Sequence, residues 1–273
     1  MAKLGLIFSR FKDFDLEAFL DYAAETGYGY VELWARNAWK ENDSSDEPLK
    51  NAERIRAAVE KRGLKISALD AENDFVVLAE QAVRHQVERM KRIIKLAGVM
   101  GAPCIRTEGG KAKPEVPAEK YGEAIAACLE QLLDDVEKTG VALAVDNHGV
   151  VTNQEGVLKS VFERVRNPLV GTNLDIYNYH WYGYDVQTTH RICRNLLPHI
   201  LHVHLKDGLG IREAYRGKAL GEGEIEAATL VRMLSAGGYK GVWCAEYEGS
   251  EDDPVGYTKC YRWMSRHVGA GNV

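Results

Sequence analysis

The chain has 273 residues, of which 45% are hydrophobic and 27% charged. This composition is typical of a globular protein with a large core, and it excludes disorder, collagen and coiled coil. Lysine plus arginine number 35 and aspartate plus glutamate 40, so the formal net charge of −5 excludes a global basic field that would attract nucleic acid or an anionic membrane.

The cysteines and the apolar stretches bear on the cellular compartment. The five cysteines form no CxxC pair, which argues against a disulfide framework and a structural zinc knuckle. The N-terminal apolar stretch is too short for a signal peptide, and no later run approaches the roughly 20 apolar residues of a membrane span. We therefore expect a cytoplasmic protein without a membrane partner.

Eight short apolar runs alternate with longer helical patterns along the chain. Most have the continuous hydrophobicity of strands buried on both faces of a parallel sheet. The predicted strands comprise residues 3–8, 30–34, 64–69, 103–107, 141–147, 170–175, 200–206 and 241–247. Eight strand-helix units in roughly 250 residues is the size of a (β/α)8 TIM barrel, and we predict a single domain of this fold over residues 1–273. A doubly wound open sheet is the alternative, but no GxGxxG or GxxxxGKS/T motif follows an early strand.

Apolar residues between the strands recur at helical spacing. One set steps by 4, 3, 4 and 3 residues and comprises Val83, Val87, Met90, Ile94 and Ala97. The next set steps by 4, 3 and 4 residues and comprises Ile125, Leu129, Leu132 and Val136. Each set predicts an amphipathic helix. Glycine suits the left-handed conformation that ends a helix, and it stands at the expected helix ends at Gly27, Gly63, Gly101, Gly140 and Gly238.

The carboxyl ends of barrel strands converge on one mouth, so polar side chains there are candidates for an active site. Predicted strands 5 to 8 contribute, in order, Asp146, Asp175, His204 and Glu246. Three carboxylates would repel one another unless a cation lies between them. A set of oxygen donors with one imidazole suits Mn²⁺, Mg²⁺ or Co²⁺, with Zn²⁺ as a further candidate. The alternative is that these are ordinary polar strand ends, solvated or engaged in salt bridges.

Six segments carry a family resemblance. They are Tyr-Val-Glu-Leu-Trp at 30–34, Val-Asp-Asn-His-Gly at 145–149, Asn-Leu-Asp at 173–175, His-Val-His-Leu-Lys-Asp at 202–207, Gly-Glu-Gly-Glu-Ile at 221–225 and Ala-Glu-Tyr-Glu-Gly at 245–249. With these segments the chain resembles the sugar phosphate isomerase/epimerase family. That family is part of the xylose-isomerase-like barrel superfamily, which also holds ketose 3-epimerases, inosose dehydratases and the endonuclease IV type of DNA repair enzyme. The resemblance covers the whole predicted barrel.

The resemblance implies that one divalent metal ion is held by Asp146, Asp175, His204 and Glu246. The chain departs from the family's pattern at two positions. The family usually has Glu-Asn-His at the end of strand 5, whereas Asp146 is one methylene shorter, which could place a water between its carboxylate and the metal. The family often has Asp-x-x-His in strand 6, whereas the third residue after Asp175 is Asn178.

The chemistry that such a site supports is proton abstraction next to a carbonyl. The family implies Asp146 and Glu246 as the acid/base pair. We therefore expect a divalent-metal-dependent isomerase or epimerase that acts on a keto-sugar or related polyol through an enediolate. A dehydratase or lyase that eliminates a β-hydroxyl or alkoxyl group is the alternative, and a non-catalytic sugar-binding barrel is the alternative from another class. Eight histidines and a net charge of −5 argue against a DNA repair phosphodiesterase.

Other side chains near the strand ends are candidates for binding the small-molecule sugar or keto-polyol. They are Glu32, Trp34, Arg106, His148, His180, Lys206 and Arg212. Structural roles are the alternatives, for example an ion pair between Glu32 and Arg106 or simple packing of Trp34.

The loop after predicted strand 7 is rich in basic residues. It contains Lys206, Arg212, Arg216 and Lys218, which could clamp a phosphate or a carboxylate. Solvated surface charges are the alternative. A homo-oligomer is compatible with the sequence.

Overall fold

The computed structural model describes residues 2–40 and 47–268. Eight parallel strands close into a barrel in the order β1-β10-β7-β6-β5-β4-β3-β2. These strands are β1 (Leu4–Ile7), β2 (Tyr30–Trp34), β3 (Lys65–Asp70), β4 (Cys104–Glu108), β5 (Ala142–Asp146), β6 (Val170–Asp175), β7 (Ile200–Leu205) and β10 (Trp243–Ala245). The closed sheet confirms the predicted TIM barrel and overturns the open-sheet alternative. The predicted domain over 1–273 also includes positions 1, 41–46 and 269–273, which lie outside the described residues. That the chain forms one domain stays a prediction.

Helices follow the strands and surround the barrel. They are α1 (Leu16–Thr26), α2 (Glu47–Lys61), α3 (Glu80–Met100), α4 (Tyr121–Glu130), α5 (Leu133–Thr139), α6 (Val157–Val165), α7 (Asn178–Tyr182), α8 (Val186–Asn195), α9 (Ala227–Ala236) and α10 (Asp253–His267). Short 3-10 turns lie at Ala35–Asn37, Ala118–Lys120, Leu197–His199 and Arg212–Ala214. Over residues 2–40 and 47–268, no helix combines the length and apolarity that crossing a membrane requires.

The predicted helix ends are confirmed, and one predicted helix is divided. All five glycines expected to end helices have positive φ, including Gly27 at +101° and Gly101 at +72°. The N–H of Gly27 donates to the carbonyls of Ala23 and Ala24, which satisfies carbonyls that the helix itself leaves free. The apolar set that begins at Ile125 lies on two helices, α4 and α5, separated at Gln131 and Leu132. Leu132 is nevertheless fully buried, so the apolar face continues across the break.

The core has an apolar shell outside the barrel and a polar layer within its mouth. The main apolar cluster fills the space between strands and helices, while small residues such as Ala68, Ala142 and Ala144 form a second cluster. Toward the carboxyl ends of the strands the buried residues become polar; they include Glu32, Asp70, Arg106, Asp146, Asn173, Asp175, His202 and His204. Parallel register places Asp146 opposite Asn173 and Asp175 opposite His204. These side chains therefore occupy adjacent positions around the mouth.

A short antiparallel hairpin follows β7 and was not predicted from the sequence. It consists of β8 (Asp207–Leu209) and β9 (Arg216–Lys218), with Gly208 opposite Gly217. A Cβ added to Gly217 would lie 2.2 Å from the carbonyl oxygen of Glu248. This close approach holds the hairpin against the segment that follows β10, at the edge of the barrel mouth.

Candidate functional site

A cavity of about 540 Å³ opens at the mouth of the barrel. Its lining comes from several different loops, including those after β1, β5, β6 and β10, together with the β8-β9 hairpin. Lys206, Asn178 and His148 line it, as do Tyr215 and Glu248. The cavity therefore lies where the strand ends were expected to converge.

Three of the four residues expected to bind metal form one compact group. Asp175 ends β6, His204 lies in β7, and Glu246 follows β10 directly. Each offers one ligand atom, and the three atoms lie within 4.8 Å of one another. The Glu246 N–H donates to the carbonyl of Leu205 at 3.0 Å, so backbone pairing continues to this residue. The barrel scaffold thus holds two carboxylates and one imidazole together.

The carboxylate of Asp175 has one oxygen that accepts hydrogen bonds and one that does not. Oδ1 accepts hydrogen bonds from the N–H groups of Tyr177 at 2.7 Å and Asn178 at 3.0 Å. Oδ2 is buried and has no hydrogen-bond partner among the described residues, although the ammonium of Lys206 lies 3.3 Å away. Burial outweighs this ammonium and raises the pKa of Asp175 to about 7. A buried, under-compensated oxygen is what a cation site offers, so the residues present fit a divalent ion.

Lys206 is shared by three carboxylates beside the cavity. Its Nζ lies 3.3 Å from Asp175 Oδ2, 3.4 Å from Glu246 Oε2 and 3.2 Å from Glu248 Oε2. Burial raises the pKa of Glu246, but the Lys206 ammonium and the hydrogen bond with His204 outweigh it and lower that pKa well below its usual range. Glu246 is therefore ionised at neutral pH.

The imidazole of His204 lies between two carboxylates. Nδ1 is 3.0 Å from Glu246 Oε2, and Nε2 is 2.7 Å from Glu32 Oε2. Burial lowers the pKa of His204, but the adjacent carboxylates, Glu32 foremost, raise it well above its usual range. A metal-binding histidine commonly donates its other ring N–H to a carboxylate. Glu32 is placed for that contact, and Nδ1 is then the nitrogen that faces Glu246.

A second group of possible ligands lies deeper in the barrel. Glu32, His202 and His204 also bring ligand atoms within 4.8 Å of one another. Glu32 Oε1 and His202 Nε2 are buried without a hydrogen-bond partner among the described residues. None of the five residues in these two groups lines the cavity itself, but Lys206, which contacts Asp175 and Glu246, does. The group of Asp175, His204 and Glu246 is thus the one that a small molecule entering the cavity would approach.

The fourth expected ligand, Asp146, lies apart from this group. Arg106 donates from Nε to Asp146 Oδ2 at 2.9 Å, and Asn173 donates to Oδ1 at 2.9 Å. Arg106 also forms a buried ion pair with Asp70. Burial raises the pKa of Asp146, but the Arg106 guanidinium outweighs it and lowers that pKa. Both oxygens of Asp146 are therefore in use within the protein.

Some of the expected substrate-binding residues line the cavity, whereas others contact protein groups elsewhere. Lys206 and His148 line it, and His148 Nδ1 lies 3.7 Å from Asp146 Oδ2. The ring nitrogens of His180 contact the carbonyl of Tyr184 at 2.7 Å and Glu224 Oε1 at 3.0 Å.

The remaining expected binding residues do not line the cavity and contact protein groups instead. They are Arg212, Trp34, Glu32 and Arg106. Arg212 donates to the carbonyl of Tyr182 at 2.8 Å and lies over the Tyr182 ring. Trp34 donates its indole N–H to the carbonyl of Phe8. Glu32 and Arg106 are buried in the polar layer described above, and the ion pairs of Arg106 are with Asp70 and Asp146 rather than with Glu32.

Several lining residues were not among the expected binding residues. Arg10 reaches the cavity from the loop after β1, and Asn178, Tyr215 and Glu248 also line it. Arg10 stands three positions beyond β1, which ends at Ile7. Its place after a barrel strand is the one signal in the sequence that could have identified it.

Comparisons with known proteins extend the resemblance found in the sequence. The sequence model of the xylose isomerase-like TIM barrel family matches residues 20–267. A zinc-bound IolI protein superposes with a TM-score of 0.78 at 18% identity, covering 97% of this chain and 96% of that one. No curated protein matches the sequence.

Two sugar epimerases are among the similar solved structures. L-ribulose 3-epimerase has a TM-score of 0.76 at 17% identity, covering 98% of this chain and 95% of that one. The 3-keto-D-glucoside 4-epimerase YcjR from E. coli has a TM-score of 0.76 at 15% identity, covering 97% of this chain and 99% of that one. At these identities the similarity shows a shared fold.

Proposed function

Because the chain belongs to the xylose isomerase-like TIM barrel family, we propose that it is a divalent-metal-dependent isomerase or epimerase of a keto-sugar or related polyol. One observation carries the proposal: Asp175, His204 and Glu246 meet beside the mouth cavity, and Asp175 presents a buried oxygen without a hydrogen-bond partner among the described residues. The names of the epimerases that share the fold support the reaction class.

The proposed ion is held by Asp175, His204 and Glu246. Two carboxylates and one imidazole suit Mn²⁺, Mg²⁺, Co²⁺ or Zn²⁺, and the zinc atom bound by IolI, which shares the fold, supports a bound metal. When bound, a divalent ion polarises a carbonyl and stabilises the negative charge that develops on its oxygen. Glu32 orients His204 through Nε2, so that Nδ1 stays directed toward Glu246.

We assign the first proton transfer to Glu246. Its Oε2 contacts His204 and Lys206, while its Oε1 makes no hydrogen bond within the described structure and is the atom that would take the proton. Lys206 keeps this carboxylate ionised and brings a positive charge to the cavity, where it would also stabilise an enediolate oxygen. Returning a proton to the opposite face of the same carbon gives an epimer, and returning it to the neighbouring carbon gives an isomer.

Asp146 was expected to be both a ligand and the partner base. We now assign it to holding Arg106 and Asn173, because both of its oxygens are engaged by these residues. A role as fourth ligand or as second base requires Asp146 to release one of these contacts. The metal content of Asp146→Asn tests the ligand role, and its deuterium exchange tests the role as second base.

The function is tested by measuring metal content and proton exchange on the same preparations. The purified protein, with and without chelator treatment, is assayed for bound metal and for deuterium uptake from D2O into a panel of ketoses. We expect metal-dependent deuterium incorporation at a carbon next to the carbonyl. Glu246→Gln and His204→Asn should lose both metal and exchange, whereas exposed Glu163→Gln is the matched control. Unchanged metal content in both site variants, or full exchange after metal removal, would refute the proposal.

A further inference from the structure

The outer part of the cavity has basic side chains that form no ion pair with a described carboxylate. Arg10, Arg216 and Lys218 line it together with Lys206. Arg10 and Arg216 are exposed and Lys218 is half-buried. Within residues 2–40 and 47–268, Arg10, Arg216 and Lys218 form no ion pair, in contrast to Lys206, which has three carboxylates around it. The charge of Asp253 interacts with that of Arg10, but like charges brought together with so few counterions are costly unless a ligand compensates them.

The hairpin places two of these cations on the same side. Arg216 and Lys218 stand two residues apart in β9, so their side chains leave the same face of the hairpin. Gly217, between them, is packed against the Glu248 carbonyl, where a Cβ would come within 2.2 Å. This contact fixes the position of the hairpin relative to the end of β10. Both basic side chains are therefore held at the cavity.

Two carboxylates that belong to the hairpin or contact it are already engaged. Asp207, opposite Lys218 in the ladder, accepts hydrogen bonds from the N–H groups of Gly208 at 2.9 Å and Gly221 at 2.9 Å. Glu248 accepts from the Tyr215 hydroxyl at 3.0 Å and lies 3.2 Å from Lys206 Nζ. Neither carboxylate therefore forms an ion pair with Arg216 or Lys218.

Arg10 belongs to the loop after β1, next to a residue that aromatic contacts anchor. The next residue, Phe11, is buried and stacks on Tyr257 with ring centroids 4.9 Å apart. Phe11 also packs edge-on against Phe19 at 5.0 Å. These aromatic contacts fix the backbone of the loop while the Arg10 side chain points outward. The third cation is thus positioned by the core and not by a local ion pair.

Neutral hydrogen-bond donors accompany the cations. Ser250 and Gly249 line the same cavity and lie outside the regular elements. The Ser250 hydroxyl and its N–H have no hydrogen-bond partner within the part of the chain that the structure describes. Guanidinium, ammonium, hydroxyl and backbone N–H groups around one space are the donors that bind oxyanions.

We propose that Arg10, Arg216 and Lys218 form a subsite for an anionic group of the substrate, a phosphate ester or a carboxylate. The proposal rests on the proposed function, since it makes the substrate an acidic keto-sugar whose reacting carbons lie at Asp175 and Glu246. Lys206 lines the cavity and contacts both of those carboxylates, so this side chain links the subsite with the candidate metal group. Arg212, expected from the sequence to join such a clamp, is directed to Tyr182 instead.

Binding of inorganic phosphate, measured by calorimetry on the protein as purified, tests the subsite without reference to turnover. We expect wild-type protein to bind phosphate and the Arg10→Gln/Arg216→Gln/Lys218→Gln variant to bind it at least tenfold more weakly, because each charge-assisted hydrogen bond contributes roughly tenfold in affinity. Arg194→Gln, which removes an exposed arginine of α8 away from the cavity, is the matched control. Equal binding by wild-type and triple variant, or no measurable binding by wild-type, overturns the proposal.

Deuterium exchange then identifies the anionic group and separates the two proposals. The panel comprises D-fructose, D-fructose 6-phosphate and D-fructuronate, assayed with wild-type and triple variant at equal metal content. Preference for the phosphate ester or for the uronate, lost in the triple variant through a raised KM, supports the subsite and identifies the group. Equal use of D-fructose by both proteins, without preference for either acid, overturns the subsite and leaves the isomerase proposal standing. Phosphate binding that depends on the three residues, without metal or exchange in any sugar, retains the subsite and rejects the isomerase.

Discussion

Asp146 and Asp175 end neighbouring barrel strands, and both are fully buried, yet their surroundings differ. Both oxygens of Asp146 accept hydrogen bonds, from Arg106 and Asn173, and its pKa is lowered because the guanidinium outweighs burial. Asp175 has one oxygen without a hydrogen-bond partner among the described residues, and burial raises its pKa to about 7. A buried carboxylate is costly unless it is paired, so the incompletely paired one marks the place for a ligand.

The cations beside the two aspartates also differ in how many carboxylates surround them. Arg106 forms ion pairs with two carboxylates, Asp70 and Asp146. Lys206 lies near three carboxylates, of which Glu248 is the most exposed. The excess of negative charge is therefore larger around Lys206. A divalent ion would remove that excess, whereas the Arg106 side of the mouth has less need of one.

The largest expected effect comes from Asp146→Asn. The substitution keeps the size of the side chain but leaves the buried Arg106 with one carboxylate fewer, and breaking a buried ion pair typically costs about 3–5 kcal/mol. We expect the free energy of unfolding in urea to fall by about 3 kcal/mol and the metal content to stay unchanged. In Asp175→Asn we expect the reverse: metal is lost while the metal-free protein is destabilised much less. Loss of metal in Asp146→Asn at normal stability would mean that Asp146 is a ligand.

The contrast also predicts how metal affinity depends on pH. Asp175, with a pKa of about 7, and His204, whose pKa is raised by its carboxylate neighbours, must both lose a proton before they bind a cation. We therefore expect the apparent Mn²⁺ affinity to rise at least roughly tenfold per pH unit up to pH 7. Titrations of Mn²⁺ between pH 5.5 and 8 would show this, and a flat profile would contradict the assignment of these ligands.

The same pKa gives the sign of a stability effect in the metal-free protein. The folded pKa of Asp175, about 7, lies above the unfolded value of roughly 3.9, so the proton is bound more tightly in the folded state. Its stabilising contribution is present at acid pH and is lost as the pH rises toward 7. The difference between wild-type and Asp175→Asn in urea unfolding isolates this contribution from those of other groups.

The strands and the residues at their ends could be predicted because the signals are local. Buried parallel strands are continuous apolar runs, and the alternation of strand and helix fixes their order around a barrel. The positions of Asp175, His204 and Glu246 follow from that order alone. Gly27 and the other helix-ending glycines follow from backbone conformation, since a positive φ favours glycine.

The hairpin and the partners of the polar side chains could not be predicted because they depend on contacts between distant residues. β8 and β9 have only three residues each, too few for a periodic pattern. His180 contacts Glu224 and Arg212 contacts Tyr182, each across about 30 to 44 residues of sequence. Arg106 could be paired with Glu32 or with Asp146 as far as sequence is concerned. In the folded barrel, strand register and side-chain geometry place Arg106 against Asp146 and not against Glu32.

The smallest expected effect is that of an exposed, bidentate ion pair. Arg191 donates from Nη1 and Nη2 to the two oxygens of Glu155 at 2.6 and 2.9 Å, but the side chains are 50% and 43% exposed. Water screens this pair and solvates either partner when the other is removed, so such pairs contribute little to the free energy of unfolding. We expect Arg191→Gln to lower the free energy of unfolding far less than Asp146→Asn does, measured in the same urea series. A loss at Arg191 as large as the loss at Asp146 would mean that burial does not distinguish the two pairs, and the contrast between Asp146 and Asp175 would then lose its physical basis.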